Sequence, residues 1–306
     1  MIHHVFANKS NVGDWLSARA IQFLLGPSVV TEHLCDEPFV VETLGRLALA
    51  SPRDFIVIGG GGLFMDYFAP FWSGFAEIAH RVPFCIWGVG YCDMKRECSR
   101  PPPDLLARIV QQSRLCYVRD ELTRQNLPGV PLPPPVPCPT VALIHERAAG
   151  FGLLHVDALD NVGEAIYDEM NKVGQAFCAE TGRTFGTINN LIPAGEESAL
   201  QSVLERYAAA DLILTGRLHG CIIGLAMGRK ILAISGDNKV ESFMQAAGLG
   251  GWVLDLSGIA SLHDRLRLLP AQVAPEDFLA SARSQNCVVA DQVMAQMFSA
   301  AFSSQT

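Results

Sequence analysis

The chain has 306 residues, 49% apolar and 18% charged, which suffices to bury the core of one large domain or two medium ones and excludes a peptide scaffold, a fibre or a disordered chain. Lys plus Arg number 23 against 31 Asp plus Glu, a formal net charge of −8, so there is no electrostatic footprint for a nucleic-acid backbone and no nucleic-acid partner is expected. Any anionic ligand must therefore meet a few well-placed cations.

The first residues, Met1-Ile-His-His-Val-Phe-Ala-Asn-Lys9, lack the apolar core of a signal peptide. The most apolar stretch, Phe55 to Tyr91, is broken by Asp66, Glu77, His80 and Arg81, short of the roughly 18 residues a spanning helix needs. The expectation is a cytoplasmic protein without a transmembrane segment. Ile2 to Ala7 predicts a strand, and Asp14 to Leu25 a helix stopped by Gly26-Pro27. In the connection Asn8-Lys-Ser-Asn-Val-Gly-Asp14, Gly13 permits a tight turn and Asp14 stands where an N-cap would. A capped turn explains these residues; so does a loop that offers amides and polar side chains to an acceptor hydroxyl.

Helical stretches follow around Phe39 to Ala50, Phe71 to His80 and Asp104 to Gln112. Between them Asp54 to Gly59, Pro83 to Val89 and Leu115 to Val118 have the continuous apolar look of parallel strands covered on both faces. The run Gly59-Gly-Gly-Gly-Leu-Phe64 sacrifices about 0.5 to 1 kcal/mol per glycine in regular structure, so something there needs bare backbone. It is neither a P-loop, for want of a lysine, nor a dinucleotide fingerprint, for want of the later glycine. Close approach of the amides of Gly60, Gly61 and Gly62 to a phosphate or sugar is one reading, and a structural turn the other.

Seven prolines between Leu127 and Pro139 fix an extended linker. Beyond it strands are predicted at Leu153 to Asp157, Thr184 to Ile188, Asp211 to Leu214 and Lys230 to Ile234, with helices over Val162 to Glu180, Glu196 to Ala209 and Leu218 to Met227, and a helical tail from Pro275 to Phe302. The fold class is α/β: two Rossmann-like parallel-sheet domains facing a cleft, residues 1–138 and 139–274, with 275–306 packing back. Nine cysteines form an odd set without a C-x-x-C pair, several in strand-like runs, which points to buried thiols in a reducing compartment. Cys92, Cys98 and His80 match no zinc template, and no metal site is expected.

In Thr215-Gly-Arg-Leu-His-Gly220 a short strand ends, a turn places Arg217 and His219 on one side, and a Gly-flecked apolar helix begins. The helix N-terminus and the guanidinium fork suit a carboxylate or phosphate, and the imidazole can give or take a proton. An arginine and a histidine at the foot of a buried helix are poor packing choices, so a site is expected there.

Asn11-Val-Gly-Asp14, Gly59 to Phe64, Val118-Arg-Asp-Glu121 and Thr215 to Gly220, in this order, resemble the polysaccharide pyruvyl transferase family, from about Val5 to Phe243. The resemblance implies a two-domain fold like that of GT-B glycosyltransferases, with phosphoenolpyruvate as donor substrate and no cofactor. The enolpyruvyl unit would move onto a sugar of a surface or exopolysaccharide, or its precursor, closing a pyruvate ketal and releasing phosphate. It implies a donor site of Arg119, Arg217, Leu218 and Lys239, on the C-terminal side, and His219 as acid or base together with Arg217. The loops at Asn11, Gly13 and Asp14 and at Gly60, Gly61 and Gly62 would serve the acceptor. The acceptor it implies would be a glycan or a lipid-linked oligosaccharide; the latter would bring peripheral contact with a membrane. Cys138, in Pro137-Cys-Pro-Thr140, departs from the acidic residue expected of the family. Arg119 beside Asp120 and Glu121 reads equally as a surface ion pair, Lys239 as a solvated helix start, and Trp15, Trp72 and Trp87 as sugar platforms or core. A nucleotide-sugar glycosyltransferase and a non-catalytic glycan- or anion-binding protein are the rival functions; oligomeric state stays open.

Overall fold

The computed structural model describes residues 1–26, 30–95, 102–157 and 159–302, with side chains through 299; Pro27 and Cys98 lie outside the described residues. In the first half, β1 (Ile2–Phe6), α1 (Val12–Leu25), β2 (Val30–Leu34), α2 (Val40–Ala48), β3 (Phe55–Phe64), α3 (Ala69–Ile78), β4 (Phe84–Tyr91), α4 (Pro103–Gln112) and β5 (Leu115–Val118) alternate. They build a five-stranded, wholly parallel sheet in the order β2-β1-β3-β4-β5. After α5 (Glu121–Gln125), the proline-rich stretch and α6 (Thr140–Leu143), a second set begins. It runs β6 (Gly152–Val156), α7 (Leu159–Val162), α8 (Glu164–Thr181), β7 (Thr184–Ile188), α9 (Glu197–Ala209), β8 (Leu212–Thr215), α10 (Leu218–Ala226), β9 (Lys230–Ser235), α11 (Asn238–Ala246), β10 (Val253–Asp255), α12 (Leu262–Leu268) and α13 (Glu276–Phe302). Its sheet, β10-β9-β8-β6-β7, is also parallel and repeats the first topology.

Both sheets reverse their winding beside their first strand, between β1 and β3 and between β6 and β8. Such switch points open a crevice at the carboxyl ends of the strands. The sheets are covered on both faces. Ile2, Phe55, Val57 and Trp87 pack beneath α1 and the Val289, Ala290 and Val293 stripe of α13, while Val5, Ile58 and Phe84 pack beneath α2, α3 and α4. One core cluster joins the halves: Val12, Trp15 and Leu16 of α1 meet Val141 of α6 and Leu218, Ile222 and Ile223 of α10. Among the described residues, no helix is long and apolar enough to cross a membrane.

Several expectations need correction. β2, β10 and α12 were not anticipated: β2 reads Val-Thr-Glu-His-Leu, an edge strand whose apolar pattern is diluted because much of it is half-exposed. The tetraglycine run is not a loop after a strand. β3 continues through it to Phe64, with a register shift between Gly61 and Phe64. The three tryptophans suggested as sugar platforms are buried core, each at 4% exposure or less. Of the eight described cysteines all are free, six are buried, and Cys287 alone is exposed.

Candidate active site

The turn after β8 is fixed by its own polar groups. Arg217 N–H donates to Thr215 Oγ1 at 3.0 Å, Thr215 Oγ1 donates to Val156 O at 3.4 Å, and Asn161 Nδ2 donates to Gly216 O at 3.1 Å. α10 then starts at Leu218, buried along its length by apolar side chains. Arg217 is held from behind, its Nε donating to Asp157 O and its Nη2 lying 3.4 Å from Asp160 Oδ2, and the guanidinium faces a cavity of about 350 Å³. His219 lines the same cavity. Its ring lies over Gly13, where a Cβ would collide with Nδ1 and Cγ, and its Nε2 is 3.9 Å from Cys138 Sγ. Cys138, wholly buried, is held in turn by Ser17 Oγ and Thr140 Oγ1, each at 3.4 Å. Burial, followed by the charges of Arg119, Lys239 and Arg217, drives the His219 pKa well below the ordinary histidine value, so the imidazole is neutral at pH 7.

Two more cations converge from other elements. Arg119, just past β5, is no surface ion pair: its side chain is 2% exposed, Nε donates to Asp120 Oδ2 at 3.2 Å, and Nη2 is buried with no hydrogen-bond partner among the described residues, while the residue itself lines the cavity. Glu121 pairs instead with Arg124. Lys239, in the first turn of α11, is not solvated; its Nζ lies 2.7 Å from Asp237 Oδ2 and donates to Cys92 Sγ at 3.3 Å. Burial works against the Lys239 charge, but Cys92 and Asp237 outweigh it and hold the ammonium above the usual lysine pKa. Leu218 completes the donor set expected from sequence, and all four residues line one cavity.

On the β1 side the N-cap of α1 is Asn11, not Asp14: the Asn11 side chain accepts from Gly13 N–H at 3.0 Å. Asp14 is thereby released into the first helical turn, where its carboxyl faces the cavity. Burial raises its pKa to about 6, opposed by Arg119, Lys239 and Arg217 and reinforced by Asp36. Gly61 at φ +94° leaves room for that carboxylate, and Gly60 at φ +87° lets β3 pass close under Ser17 and Ala18 of α1. The bare backbone is thus required by the helix and by Asp14. Of the three glycines assigned to a ligand loop, Gly60 and Gly61 face α1 and only Gly62 reaches the cavity wall.

The strand order gives the cavity a polarity. Along the carboxyl edge of the first sheet, Asp36 follows β2, Asn8 and Asp14 follow β1, Tyr67 follows β3, Cys92 follows β4 and Arg119 follows β5. Opposite them stand Lys239 after β9, Arg217 and His219 after β8, Asn161 after β6 and Asn190 after β7. Short bridges lock the two edges in this register: Asn11 pairs with Leu191, and Met94 with Asp237. One end is therefore cationic and the other carries carboxylates and amides, with His219 between. Sequence reasoning missed Asp36, Tyr67, Asp160 and Asn190, which belong to no recognisable motif and become neighbours only through the strand order.

A model of the polysaccharide pyruvyl transferase family matches residues 11–238, which include these loops except the first residues of the β1 turn and, one position past the end of the match, Lys239. The chain belongs to the polysaccharide pyruvyl transferase family. No curated protein matches this pyruvyl transferase family member in sequence. In shape it is similar to the UDP-GlcNAc 2-epimerase of Methanocaldococcus jannaschii, with a TM-score of 0.56 and 9% identity over 94% of this chain and 98% of that one. The UDP-GlcNAc 2-epimerase of Neisseria meningitidis gives 0.55 and 10% over 96% and 99%. The glycotransferase of kitacinnamycin gives 0.51 and 12% over 96% and 98%. At these identities the likeness establishes the two-sheet fold, as the family resemblance implied, and nothing finer.

Proposed function

We propose that this protein transfers the enolpyruvyl unit of phosphoenolpyruvate to a sugar of a surface or exopolysaccharide, or its precursor, and closes a pyruvate ketal with release of phosphate. The observation that carries this reading is the convergence of Arg119, Arg217 and Lys239, from three different strand ends, around a neutral His219 in a chain of net charge −8. Phosphoenolpyruvate carries a carboxylate and a phosphate on one carbon, and Arg119, whose buried Nη2 has no hydrogen-bond partner among the described residues, is one of the cations lining the cavity that such a dianion would meet. Residues 139–274 would then hold most of the donor site and residues 1–138 the acceptor side, with Asp14 and Asn11 nearest the incoming hydroxyl and Gly13 seating the imidazole.

In the reaction a proton is added to the methylene carbon of the donor, a sugar hydroxyl oxygen bonds to the neighbouring carbon, and the bond to the phosphate oxygen breaks. The second hydroxyl closes the ring on the same carbon, and one of the two hydroxyl protons leaves to solvent or phosphate. A neutral imidazole between the two ends of the cavity suits a proton transfer, and the cations stabilise the departing phosphate. No cofactor is invoked.

The test is to supply phosphoenolpyruvate with candidate glycans and measure released phosphate together with a glycan mass gain of one pyruvate less water. His219→Ala should lower kcat by roughly 10² to 10⁴ while calorimetric affinity for phosphoenolpyruvate is retained. Arg217→Ala should weaken that affinity by about tenfold or more. Consumption of a nucleotide sugar with phosphoenolpyruvate ignored would replace the reading by a glycosyltransferase, and full activity in His219→Ala would replace it by a binding protein.

A further inference from the structure

The end of the cavity remote from Arg119 has its own construction. The chain leaving β2 is tied to the end of β1, Cys35 N–H donating to Phe6 O at 2.9 Å and Asp36 N–H to Ala7 O at 3.2 Å, so Asp36 has a fixed place on the sheet edge. Tyr67, in the turn following β3, donates its hydroxyl to Asp36 Oδ1, which also accepts Glu37 N–H at 3.1 Å. Asp36 Oδ2 takes no hydrogen bond from the described residues. The Tyr67 ring is braced edge-on by Phe68, with centroids 5.0 Å apart at 89°, yet it is 48% exposed at the mouth of the cavity. A phenol tied at its hydroxyl and braced at its edge, yet open to solvent, offers a rigid apolar surface. Beside it stands a carboxylate with a free oxygen, and Asn8 supplies a neutral polar group on the same wall.

The geometry points to an acceptor subsite here that takes an uncharged pyranose: its hydroxyls donate to the Asp36 carboxylate, its C–H face lies on Tyr67, and uronic acids or phosphorylated sugars are turned away. This deepens, and rests on, the pyruvyl-transfer reading, because it names the class of acceptor at the same cavity. A sugar hydroxyl donating to a carboxylate makes a charge-assisted bond, whereas an anionic sugar would set a second negative charge beside Asp36 and near Asp14 in a partly dehydrated cleft. Arg119, Lys239 and Arg217, which also act on Asp14, are already matched by the carboxylate and phosphate of the donor on this reading and would not compensate it. Four strand spacings separate the ends of β2 and β5 in the sheet order, roughly 19 Å at the usual interval. A donor at Arg119 and Lys239 and a sugar at Asp36 can therefore lie side by side with the His219 imidazole between them.

Methyl hexopyranosides of the gluco, galacto, manno and N-acetylglucosamine series, and the matching methyl uronosides, are offered to the full-length protein with and without saturating phosphoenolpyruvate. Binding is read by saturation-transfer NMR. At least one neutral glycoside should bind, and its uronoside about tenfold or more weakly. Asp36→Asn should weaken the neutral sugar about tenfold and narrow its advantage over the uronoside; Tyr67→Phe should lose less than Tyr67→Ala. Calorimetric affinity for phosphoenolpyruvate and the melting temperature should be unchanged in all three variants. Uronosides bound as well as hexosides, no hexoside bound, or Asp36→Asn indistinguishable from the parent would each overturn the assignment. Failure of phosphoenolpyruvate to bind the parent protein would instead remove the pyruvyl-transfer reading, while the sugar titrations without it still report on Asp36 and Tyr67.

Discussion

Gly90 lies against the Arg119 guanidinium, and a Cβ at that position would occupy the space of Nη2 and Cζ. Gly90→Ala should therefore displace a cation without touching a core side chain: an affinity for phosphoenolpyruvate reduced about tenfold or more, with the melting temperature little changed, is the expected calorimetric result. Asp14 gives a kinetic counterpart. Its carboxyl is raised to about 6 by burial against the pull of Arg119, Lys239 and Arg217, so it loses its proton across the neutral range while His219, held far lower, stays neutral throughout. The profile of kcat/KM reports groups of the free protein. An acidic limb near pH 6 is expected, and Asp14→Asn should flatten it between pH 5 and 7 and lower the plateau; a limb that survives would have to be traced to another group. Cys138 belongs to the same scale. A thiol 3.9 Å from Nε2 adds no fixed negative charge, whereas Cys138→Asp would bring a carboxylate to the imidazole and move its pKa upward, an effect NMR titration of the ring can follow.

At the scale of elements, histidines on β1 and β2 make the first sheet sensitive to acid. His4, wholly buried, has Nε2 at 3.1 Å from Gly59 O and Nδ1 at 3.1 Å from Gln22 Nε2, and burial lowers its pKa to about 4. His33 is lowered to about 4 by burial and by His3, whose Nδ1 is 3.0 Å from its Nε2. A histidine whose folded pKa is depressed favours the native state when neutral. That stability is intact above the unfolded value of about 6.5 and is lost as pH falls towards 4. For His4 the loss amounts to about 3 kcal/mol, so the urea midpoint should drop steeply between pH 6.5 and 4.5, and His4→Gln should make the drop shallower. The interior strands β3, β4, β6 and β9 are legible in the sequence because both faces are buried and their residues run apolar. Of the edge strands, β5 and β7 are legible too, whereas β2, which carries Thr, Glu and His in a half-exposed run, and β10, three residues long and ending in Asp, are not. The candidate site divides likewise. Arg217 and His219 announce themselves in one turn, whereas Asp36 and Tyr67 enter it through pairings of β2, β1 and β3 that no local pattern encodes. Gly60 and Gly61 signalled a real constraint, but its cause is α1 and Asp14.

Across the whole molecule the two halves are closed onto each other at both ends of the cleft. Val12 N–H donates to Asn190 O at 2.8 Å and Ile192 N–H to Ser10 O at 2.8 Å, while Lys95 N–H donates to Gly236 O at 3.0 Å and Asn238 N–H to Asp93 O at 3.1 Å. Lys95 adds ion pairs to Glu241 and Asp255. A ligand that neutralises Arg119, Arg217 and Lys239 removes the repulsion among them, so phosphoenolpyruvate should slow hydrogen exchange at Val12, Lys95, Ile192 and Asn238, while amides of α8 and α12 keep their rates. α13 joins the halves in a different way. Arg283 donates to Val141 O at 3.0 Å, and buried Asn286 accepts Trp87 Nε1–H at 3.0 Å while donating to Pro137 O at 2.9 Å. Asn286→Ala, which strands the indole N–H, should cost about 1 to 3 kcal/mol in chemical unfolding. The Trp87 and Asn286 partners stand 199 positions apart. During synthesis, then, the sheet that forms first leaves the ribosome with its Ile2, Phe55 and Trp87 face covered by α1 alone. It must wait for the rest of the chain to be translated before Val289 and Val293 can close it, a window in which chaperone occupancy should fall on that half.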